Sequence, residues 1–265
     1  LLVAPFRFAV RLHKQVVVLA VAGCIHAFDL RVKGVGHTVD RDLGPGVHGF
    51  AAIRGHARAD NRLGVKADDY DRPLAGLHIV VDAGNGAGGF FVRQVLEPLG
   101  ADTAGSQFLE PDGMFPNHIP NPENKQAMDS VRAATVEHHA DMGIIFDTDV
   151  DRMSAVLHDG SEVNRDAIIA MISAIIAPDY PGGTIVTDSV TSDKLTDFLE
   201  NTLHLKHHRF KRGYKNVINE SKRLNAAGVQ SPLAIETSGH GALSENYFLD
   251  DGAYLAVKLL IAAAK

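Results

Sequence analysis

The chain has 265 residues, of which 45% are hydrophobic and 22% are charged, and its formal net charge is −6. This length is sufficient for two domains with cores of their own, and the composition is that of a globular protein. The negative charge argues against nucleic-acid binding, because no basic field attracts phosphates. The single cysteine excludes an internal disulfide framework. No apolar run reaches the roughly 18 residues of a membrane span, so we expect a cytoplasmic protein without a membrane partner.

Residues 1–73 have weak hydrophobic periodicity and no clear helix caps, and we leave them unassigned as an irregular or non-native remnant. Within them, "RLHKQVVVLAVAGC" places basic residues, a short apolar run and small residues before Cys24. That order resembles a bacterial lipoprotein signal. A short buried strand or helix is the alternative interpretation.

From residue 74 the sequence alternates between strand and helix patterns. In residues 74–161, "LHIVVD", "MGIIFD" and "RMSAVLHDG" predict strands, and "FFVRQVLEPLG" and "NKQAMDSVRAATVEHHA" predict helices. Residues 162–265 repeat the alternation and end with the helix "DGAYLAVKLLIAAAK". The pattern predicts two consecutive α/β domains with mixed, mostly parallel sheets.

An acidic segment, "DTDVDR", directly follows the apolar strand "MGIIF". Its carboxylates, Asp147, Asp149 and Asp151, stand on alternate positions and raise one another's pKa unless a cation or hydrogen-bond donors hold them. Three carboxylates with room for a phosphate suit Mg²⁺, and the following Arg152 suits a phosphate. A solvated acidic turn is the competing interpretation. An EF-hand is excluded, because Arg152 and His158 stand where that loop needs glycine and glutamate.

The segment "DAGNGAGG" follows the first strand and formally contains G-x-G-x-x-G. A dinucleotide site also requires an acidic residue about 20 positions later, where Asp102 is only an approximate match. We therefore favour close packing of small residues between strand and helix.

Two further polar segments predict contacts with a sugar or phosphate. "ETSGHG" places Glu236, Ser238 and His240 on a short glycine-bounded loop after a strand. "KRGYKNV" places three cations, Lys211, Arg212 and Lys215, around a glycine turn. A capped turn with a surface histidine and a solvated basic turn are the alternatives.

These segments together resemble the α-D-phosphohexomutase family of phosphoglucomutases and phosphomannomutases. "VVDAGNGAGG", "DTDVDR", "RGYKNV" and "ETSGH" are similar, in order and spacing, to motifs of the family's domains 2 and 3. The resemblance extends from about residue 71 to residue 265. It implies domain 2 at 74–161 and domain 3 at 162–265.

The resemblance also implies roles for individual residues. Asp147, Asp149 and Asp151 would hold Mg²⁺, and Arg152 would lie near the transferred phosphate. The residues implied to bind or act on the hexose phosphate are Glu236, Ser238, His240 and Lys215, of which His240 and Lys215 join Arg152 as catalytic candidates. Thr148 and Ile235 replace glycines of the usual motifs, and neither change removes a ligand side chain.

The implied reaction is the Mg²⁺-dependent interconversion of hexose 1-phosphate and hexose 6-phosphate. In the family it uses a phosphoserine in domain 1 and a phosphate-docking loop in domain 4, and neither motif is found here. We therefore expect a fragment that is inactive alone, for which domains 1 and 4 would be packing partners.

Two alternatives remain at this point. A haloacid-dehalogenase-type phosphatase would use Asp147 as nucleophile and Asp149 as acid/base, completed by Lys211 or Lys215 and the pair Asp250–Asp251. A non-catalytic module would retain only sugar-phosphate or Mg²⁺ binding.

Overall fold

The structure, a computed structural model, describes residues 72–264. The first half of this region is a four-stranded sheet in the order β1-β2-β3-β4. The β1–β2 pair is parallel, and the β2–β3 and β3–β4 pairs are antiparallel. Its elements are β1 (Ile79–Asp82), a π-helical segment (Phe91–Leu96), α1 (Lys125–Glu137), β2 (Met142–Phe146), β3 (Met153–Leu157) and β4 (Glu162–Val163).

The second half is a four-stranded sheet in the order β6-β5-β7-β8. β5 pairs in parallel with β6 and β7, and β7 pairs antiparallel with β8. Its elements are α2 (Asp166–Ile176), β5 (Thr184–Asp188), α3 (Asp193–Asp197) with a π-helical continuation (Phe198–Thr202), β6 (Lys206–Phe210), α4 (Tyr214–Ala226), β7 (Leu233–Ile235), β8 (Gly241–Leu243) and α5 (Gly252–Ala263).

The fold expected from the sequence, two α/β units with mixed sheets, is confirmed. Of the six strand pairs within residues 72–264, three are parallel and three are antiparallel, so the sheets are mixed but not mostly parallel. The helix expected after the glycine segment is π-helical, with Glu97 N–H bonded to Val92 O at 3.0 Å. The spacing of apolar residues in the sequence does not distinguish a π-helical turn from an α-helical turn. Our interpretation of residues 1–73, with its Cys24 segment, lies outside the described residues apart from Arg72 and Pro73.

Both faces of the first sheet are covered, because side chains alternate between faces along a strand. Ile145 of β2 and Val156 of β3 pack with the apolar side of α1. Their neighbours Phe146 and Met153 point to the opposite face and join the largest core. The buried faces therefore hold β2 and β3 in place, and the loop between them carries the acidic segment.

The largest hydrophobic core is shared by the two halves of the chain. It includes Phe146 and Met153 of the first sheet together with Ile168 and Ile172 of α2 and Leu255 of α5. All five side chains are completely buried. Each such burial contributes about 1.5–3 kcal/mol, so the two sheets are firmly packed through α2 and α5. None of the helices within residues 72–264 is long and apolar enough to cross a membrane.

Candidate functional site

The acidic loop connects β2 to β3 and brings its three aspartates together. Asp147, Asp149 and Asp151 each offer a carboxylate oxygen, and these oxygens lie within 4.8 Å of one another. Asp147 is buried, Asp149 is exposed and Asp151 is half-buried. A small hard cation accepts such a set of oxygens and keeps positions open for other ligands.

Arg152 fixes the first of these carboxylates. Its Nε donates to Asp147 Oδ2 at 2.8 Å, and its backbone N–H donates to Asp147 Oδ1 at 3.1 Å. The same guanidinium reaches Asn121 Oδ1 at 3.4 Å. Asp147 is thus oriented by two donors, while Arg152 is shared between the acidic loop and the long loop before α1.

Asp151 is electrostatically strained where it lies. Burial, together with the hydrogen bond and negative charge of Asp147, raises the pKa of Asp151 to about 7. Its Oδ1 atom is buried and has no hydrogen-bond partner among residues 72–264. Arg152 Nε and His240 Nδ1 lie 3.8 and 3.6 Å from this oxygen, too far to hydrogen-bond to it. A buried carboxylate oxygen without a hydrogen bond is costly, and a bound cation would remove that cost. The residues present therefore fit a divalent metal.

The glycine segment after β1 packs against the backbone of the acidic loop. Ala87 N–H donates to Thr148 O at 2.8 Å. A Cβ on Gly86 would come within 2.8 Å of the same oxygen. This is the close packing expected from the sequence. Asp102 instead pairs with His78 beside β1 and accepts from Ala104 N–H, as a turn residue.

The "ETSGH" loop joins β7 to β8 and is largely buried. Glu236 Oε1 accepts from Gly213 N–H at 2.6 Å, and Ser238 Oγ lies 3.4 Å from Glu236 Oε2. Thr237 Oγ1 donates to Asp188 Oδ2 at 2.7 Å, beneath the loop. Burial and the charge of Asp188 raise the pKa of Glu236. The Gly213 contact joins the "KRGYKNV" turn to this loop.

His240 links the loop to the acidic segment. Its Nδ1 lies 2.8 Å from Asp250 Oδ2 and 3.6 Å from Asp151 Oδ1, and its backbone pairs with Arg152. The ring stacks on Tyr214 at 4.8 Å. Burial lowers the pKa of His240, but the hydrogen bond and charge of Asp250 and the charge of Asp151 outweigh it, so the pKa is raised.

The cations of the "KRGYKNV" turn lie at the exposed edge of this site. Lys211, Arg212 and Lys215 are exposed. Arg212 lies 3.7 Å from Glu123, and Lys215 Nζ lies 5.7 Å from the Tyr214 ring that stacks on His240. The structure thus brings together the three aspartates, Arg152 and the "ETSGH" loop with its His240. Lys215 is separated from His240 by the ring of Tyr214.

Three residues at the site have no role in the sequence-based interpretation of the mutase motifs. Asn121 contacts Arg152, Glu123 contacts Arg212, and Asp250 contacts His240. Asn121 and Glu123 belong to the proline-rich segment "EPDGMFPNHIPNPE", which has neither helical nor strand spacing. Its density of polar residues between prolines is the one signal in the sequence that marks it.

Two family models match the chain. "Phosphoglucomutase/phosphomannomutase, alpha/beta/alpha domain II" matches residues 62–160, and domain III of the same family matches residues 164–265. Together they cover most of the chain. The protein belongs to the phosphoglucomutase/phosphomannomutase family.

Curated relatives agree with this assignment. A phosphomannomutase/phosphoglucomutase of Pseudomonas syringae is 35% identical over 189 residues, which is 69% of this chain and 38% of the relative. A phosphoglucomutase of Neisseria gonorrhoeae is 30% identical over 190 residues, covering 69% and 39%. The chain therefore spans less than half the length of these relatives.

A solved structure shows the same architecture. A phosphoglucomutase/phosphomannomutase family protein of Burkholderia thailandensis superposes with a TM-score of 0.63 at 30% identity. The superposition covers 74% of this chain and 43% of that one. The phosphohexomutase resemblance of the sequence motifs is thereby confirmed for the fold and the family.

Proposed function

We propose that the chain supplies the metal loop and the sugar-recognition loop of a Mg²⁺-dependent phosphohexomutase, which interconverts hexose 1-phosphate and hexose 6-phosphate. The observation that carries this proposal is the junction between Arg152 and His240. Their backbone pairing and the 3.6 Å approach of His240 to Asp151 place the two loops side by side. A phosphorylated sugar bound there would meet both loops at once.

Mg²⁺ would be held by Asp147, Asp149 and Asp151. The unpartnered buried oxygen of Asp151 supports this assignment. When bound, the ion neutralises the charge of a phosphoryl group in transfer. Arg152, already oriented by Asp147, would place its remaining guanidinium nitrogens toward the phosphate oxygens.

The sugar would be held by the "ETSGH" loop. Glu236 and Ser238 offer a carboxylate and a hydroxyl on one rigid turn, and such groups suit vicinal sugar hydroxyls. His240, held between Asp250 and Tyr214, would donate to a hydroxyl or a phosphate oxygen. Lys215, which is exposed beside Tyr214, would contact the phosphate of the bound ligand.

For the complete transfer, the family resemblance implies a phosphorylated serine and a second loop that docks the substrate phosphate. Neither motif lies within residues 72–264. We therefore propose binding of Mg²⁺ and hexose phosphate as the activity of these residues, and mutase catalysis as that of the whole protein. The low cysteine content agrees with a cytoplasmic setting.

The site geometry disfavours the phosphatase alternative. Both oxygens of Asp147 accept hydrogen bonds from Arg152, which weakens it as a nucleophile. Asp250 is bonded to His240, and Asp251 caps α5 through Tyr254 N–H. The family models that match also belong to the mutases.

The test is titration calorimetry of the full 265-residue chain with MgCl₂, followed by ligand-observed NMR with glucose 6-phosphate and mannose 6-phosphate. Asp149→Asn should abolish Mg²⁺ binding, and Glu236→Gln should weaken sugar-phosphate binding. Asp179→Asn, which removes an exposed carboxylate elsewhere, is the matched control and should change neither. If the wild-type chain binds neither Mg²⁺ nor hexose phosphate, both the mutase proposal and the binding-module alternative are wrong.

A further inference from the structure

A cavity of about 220 Å³ lies between the start of α1, the β3–β4 edge, the start of α2 and the tip of the "ETSGH" loop. It is smaller than the roughly 300–1,000 Å³ of pockets for drug-sized ligands, so it suits a small ligand. Its walls are mainly polar. They are formed by Pro122, Glu123, Lys125, Met128, Asp129, Arg132, Ser154, Glu162, Asn164, Arg165, Thr237 and Ser238.

Arg165, which lines this cavity, has a backbone conformation that an arginine rarely adopts. Its φ is 47° and its ψ is −127°. Ala167 N–H bonds to Asn164 O at 2.9 Å, so Arg165 occupies the second position of a turn with type II′ geometry. Glycine is the residue that this position favours. Backbone strain at a non-glycine residue is costly, and it is often found at functional sites.

The side chain of Arg165 has no hydrogen bond or ion pair within residues 72–264. The other charged residues of the cavity are paired. Lys125 and Arg132 bind Asp129, and Arg132 also binds Glu162. Glu123 faces Arg212. The carboxylates are therefore already neutralised locally, and the unpaired charge that remains at the cavity is positive.

The wall of the cavity also includes a serine side chain without a hydrogen bond. Ser154 is 2% exposed, and its side chain makes no hydrogen bond within the described part of the chain. It lines the cavity from the β3 side, opposite the apolar core. The Ser154 hydroxyl is not fully enclosed but opens on the cavity, so it is available to donate to a ligand there.

The helices at the cavity contribute a favourable field. α1 (13 residues) and α2 (11 residues) both begin at its wall. The positive end of a helix dipole attracts anions. Asp166 in the first turn of α2 is directed to Ser192 N–H, at 3.1 Å, rather than being a lining residue of the cavity.

We propose that this cavity is a second oxyanion site that binds a phosphate group through the Arg165 guanidinium and the Ser154 hydroxyl. It is separate from the acidic loop and requires no metal. The phosphate could arrive as the free ion or as part of a sugar phosphate, and Ser238 connects the cavity to the "ETSGH" loop. The strained backbone of Arg165 would then be retained because its positive charge is needed to bind the phosphate.

The experiment measures binding of inorganic phosphate to the full-length chain in EDTA by two-dimensional NMR, with thermal unfolding in parallel. Wild type should show saturable shifts at the amides of Ser154 and Arg165. Arg165→Gly should weaken binding about tenfold or more, and Ser154→Ala about fivefold. Because glycine suits the turn, Arg165→Gly should also raise the Tm, whereas Arg165→Ala should weaken binding without raising it.

Arg93→Ala is the control, because it removes one exposed positive charge that does not line the cavity and should leave phosphate binding unchanged. Unchanged phosphate affinity in both Arg165→Gly and Ser154→Ala, or no saturable binding in wild type, overturns the proposal. A titration with glucose 6-phosphate in EDTA separates the two sources. Tighter binding than inorganic phosphate identifies a sugar phosphate, and equal affinity identifies the free ion. Since EDTA removes Mg²⁺, failure here is distinguishable from failure of the metal site.

Discussion

His240 Nδ1 and Asp250 Oδ2 lie 2.8 Å apart, and the other oxygen of Asp250 accepts from Gly241 N–H at 3.0 Å. One carboxylate thus orients the imidazole ring and the strand that begins beside it. Since an ionised carboxylate can only accept a hydrogen bond, the Nδ1 atom of His240 carries the proton. The Nε2 atom is then available to a ligand.

Replacing Asp250 should therefore alter His240 more than it alters the fold. We expect Asp250→Ala to lower the pKa of His240, because the raising hydrogen bond and charge are lost. The cost in stability should be about 1–3 kcal/mol. NMR titration of the His240 ring measures the first effect, and urea unfolding the second. Asp250→Asn should keep the Gly241 bond through its amide oxygen, but it loses the charge and sets an NH2 donor where an oxygen accepted from Nδ1–H. A His240 pKa that does not move in either variant contradicts this role.

Mg²⁺ binding should depend on pH through Asp151. The pKa of Asp151 is raised to about 7, so this ligand is protonated below that pH and must lose its proton when a metal binds. Affinity should fall as pH decreases from 8 to about 6, with proton release near pH 7. Calorimetry in buffers of different ionisation enthalpy measures the released protons. Asp151→Asn should abolish the release; if the variant still releases protons, another group is responsible.

The acidic loop should be sensitive to a methyl group at Gly86. In Gly86→Ala the new Cβ would lie 2.8 Å from Thr148 O and 3.2 Å from Asp147 O. The loop must shift, so we expect Mg²⁺ affinity to fall about tenfold or more, since metal sites require precise placement of their ligands. Gly113→Ala is the matched control, because a Cβ at Gly113 would meet no atom within 4 Å. Equal Mg²⁺ affinities for the two variants would show that the loop tolerates displacement.

A buried ion pair away from the site should matter for stability. Lys258 of α5 pairs with Glu245, which also accepts from Tyr254 Oη at 3.0 Å. Lys258→Met leaves the Glu245 charge buried without its partner and should cost about 3–5 kcal/mol in urea unfolding. Lys125→Met breaks an exposed pair with Asp129 and should leave the urea midpoint almost unchanged. Similar losses for both would mean that Glu245 is compensated by other groups.

The stability of the first sheet should decrease at alkaline pH because of His118. Its Nε2 lies 3.0 Å from the buried Asp82, and the hydrogen bond and charge of Asp82 raise the pKa of His118 against its burial. A raised histidine pKa adds stability below the unfolded-state value of about 6.5, and this is lost as pH rises through the folded-state pKa. Urea unfolding between pH 5.5 and 9 measures the slope. His118→Asn should remove it; an unchanged slope in the variant would assign the pH dependence elsewhere.

Much of the fold follows from the sequence, because its strands and helices have regular apolar spacing. The runs around Ile144 and Ile168 are buried on every side, and their lengths distinguish the strand from the helix. The three aspartates are also adjacent in sequence, so their convergence needs only one loop. Local information was sufficient for both.

Long-range contacts were not accessible in this way. Asp250 begins the segment predicted as the last helix, whereas in the structure it orients His240, ten positions earlier in the chain. Asn121 reaches Arg152 across 31 positions. The turn at Arg165 could not be predicted for a different reason. Glycine is the residue that indicates a turn of this type, and arginine at the same position is instead typical of a helix.

The shared core of Phe146, Met153, Ile168, Ile172 and Leu255 has a mechanical consequence. A chain that bends between its two sheets would have to open that core, so a hinge near residue 161 would be expensive. We therefore expect the acidic loop and the "ETSGH" loop to move together as one rigid unit. Any movement that opens the space in front of these two loops must therefore come from groups outside this core.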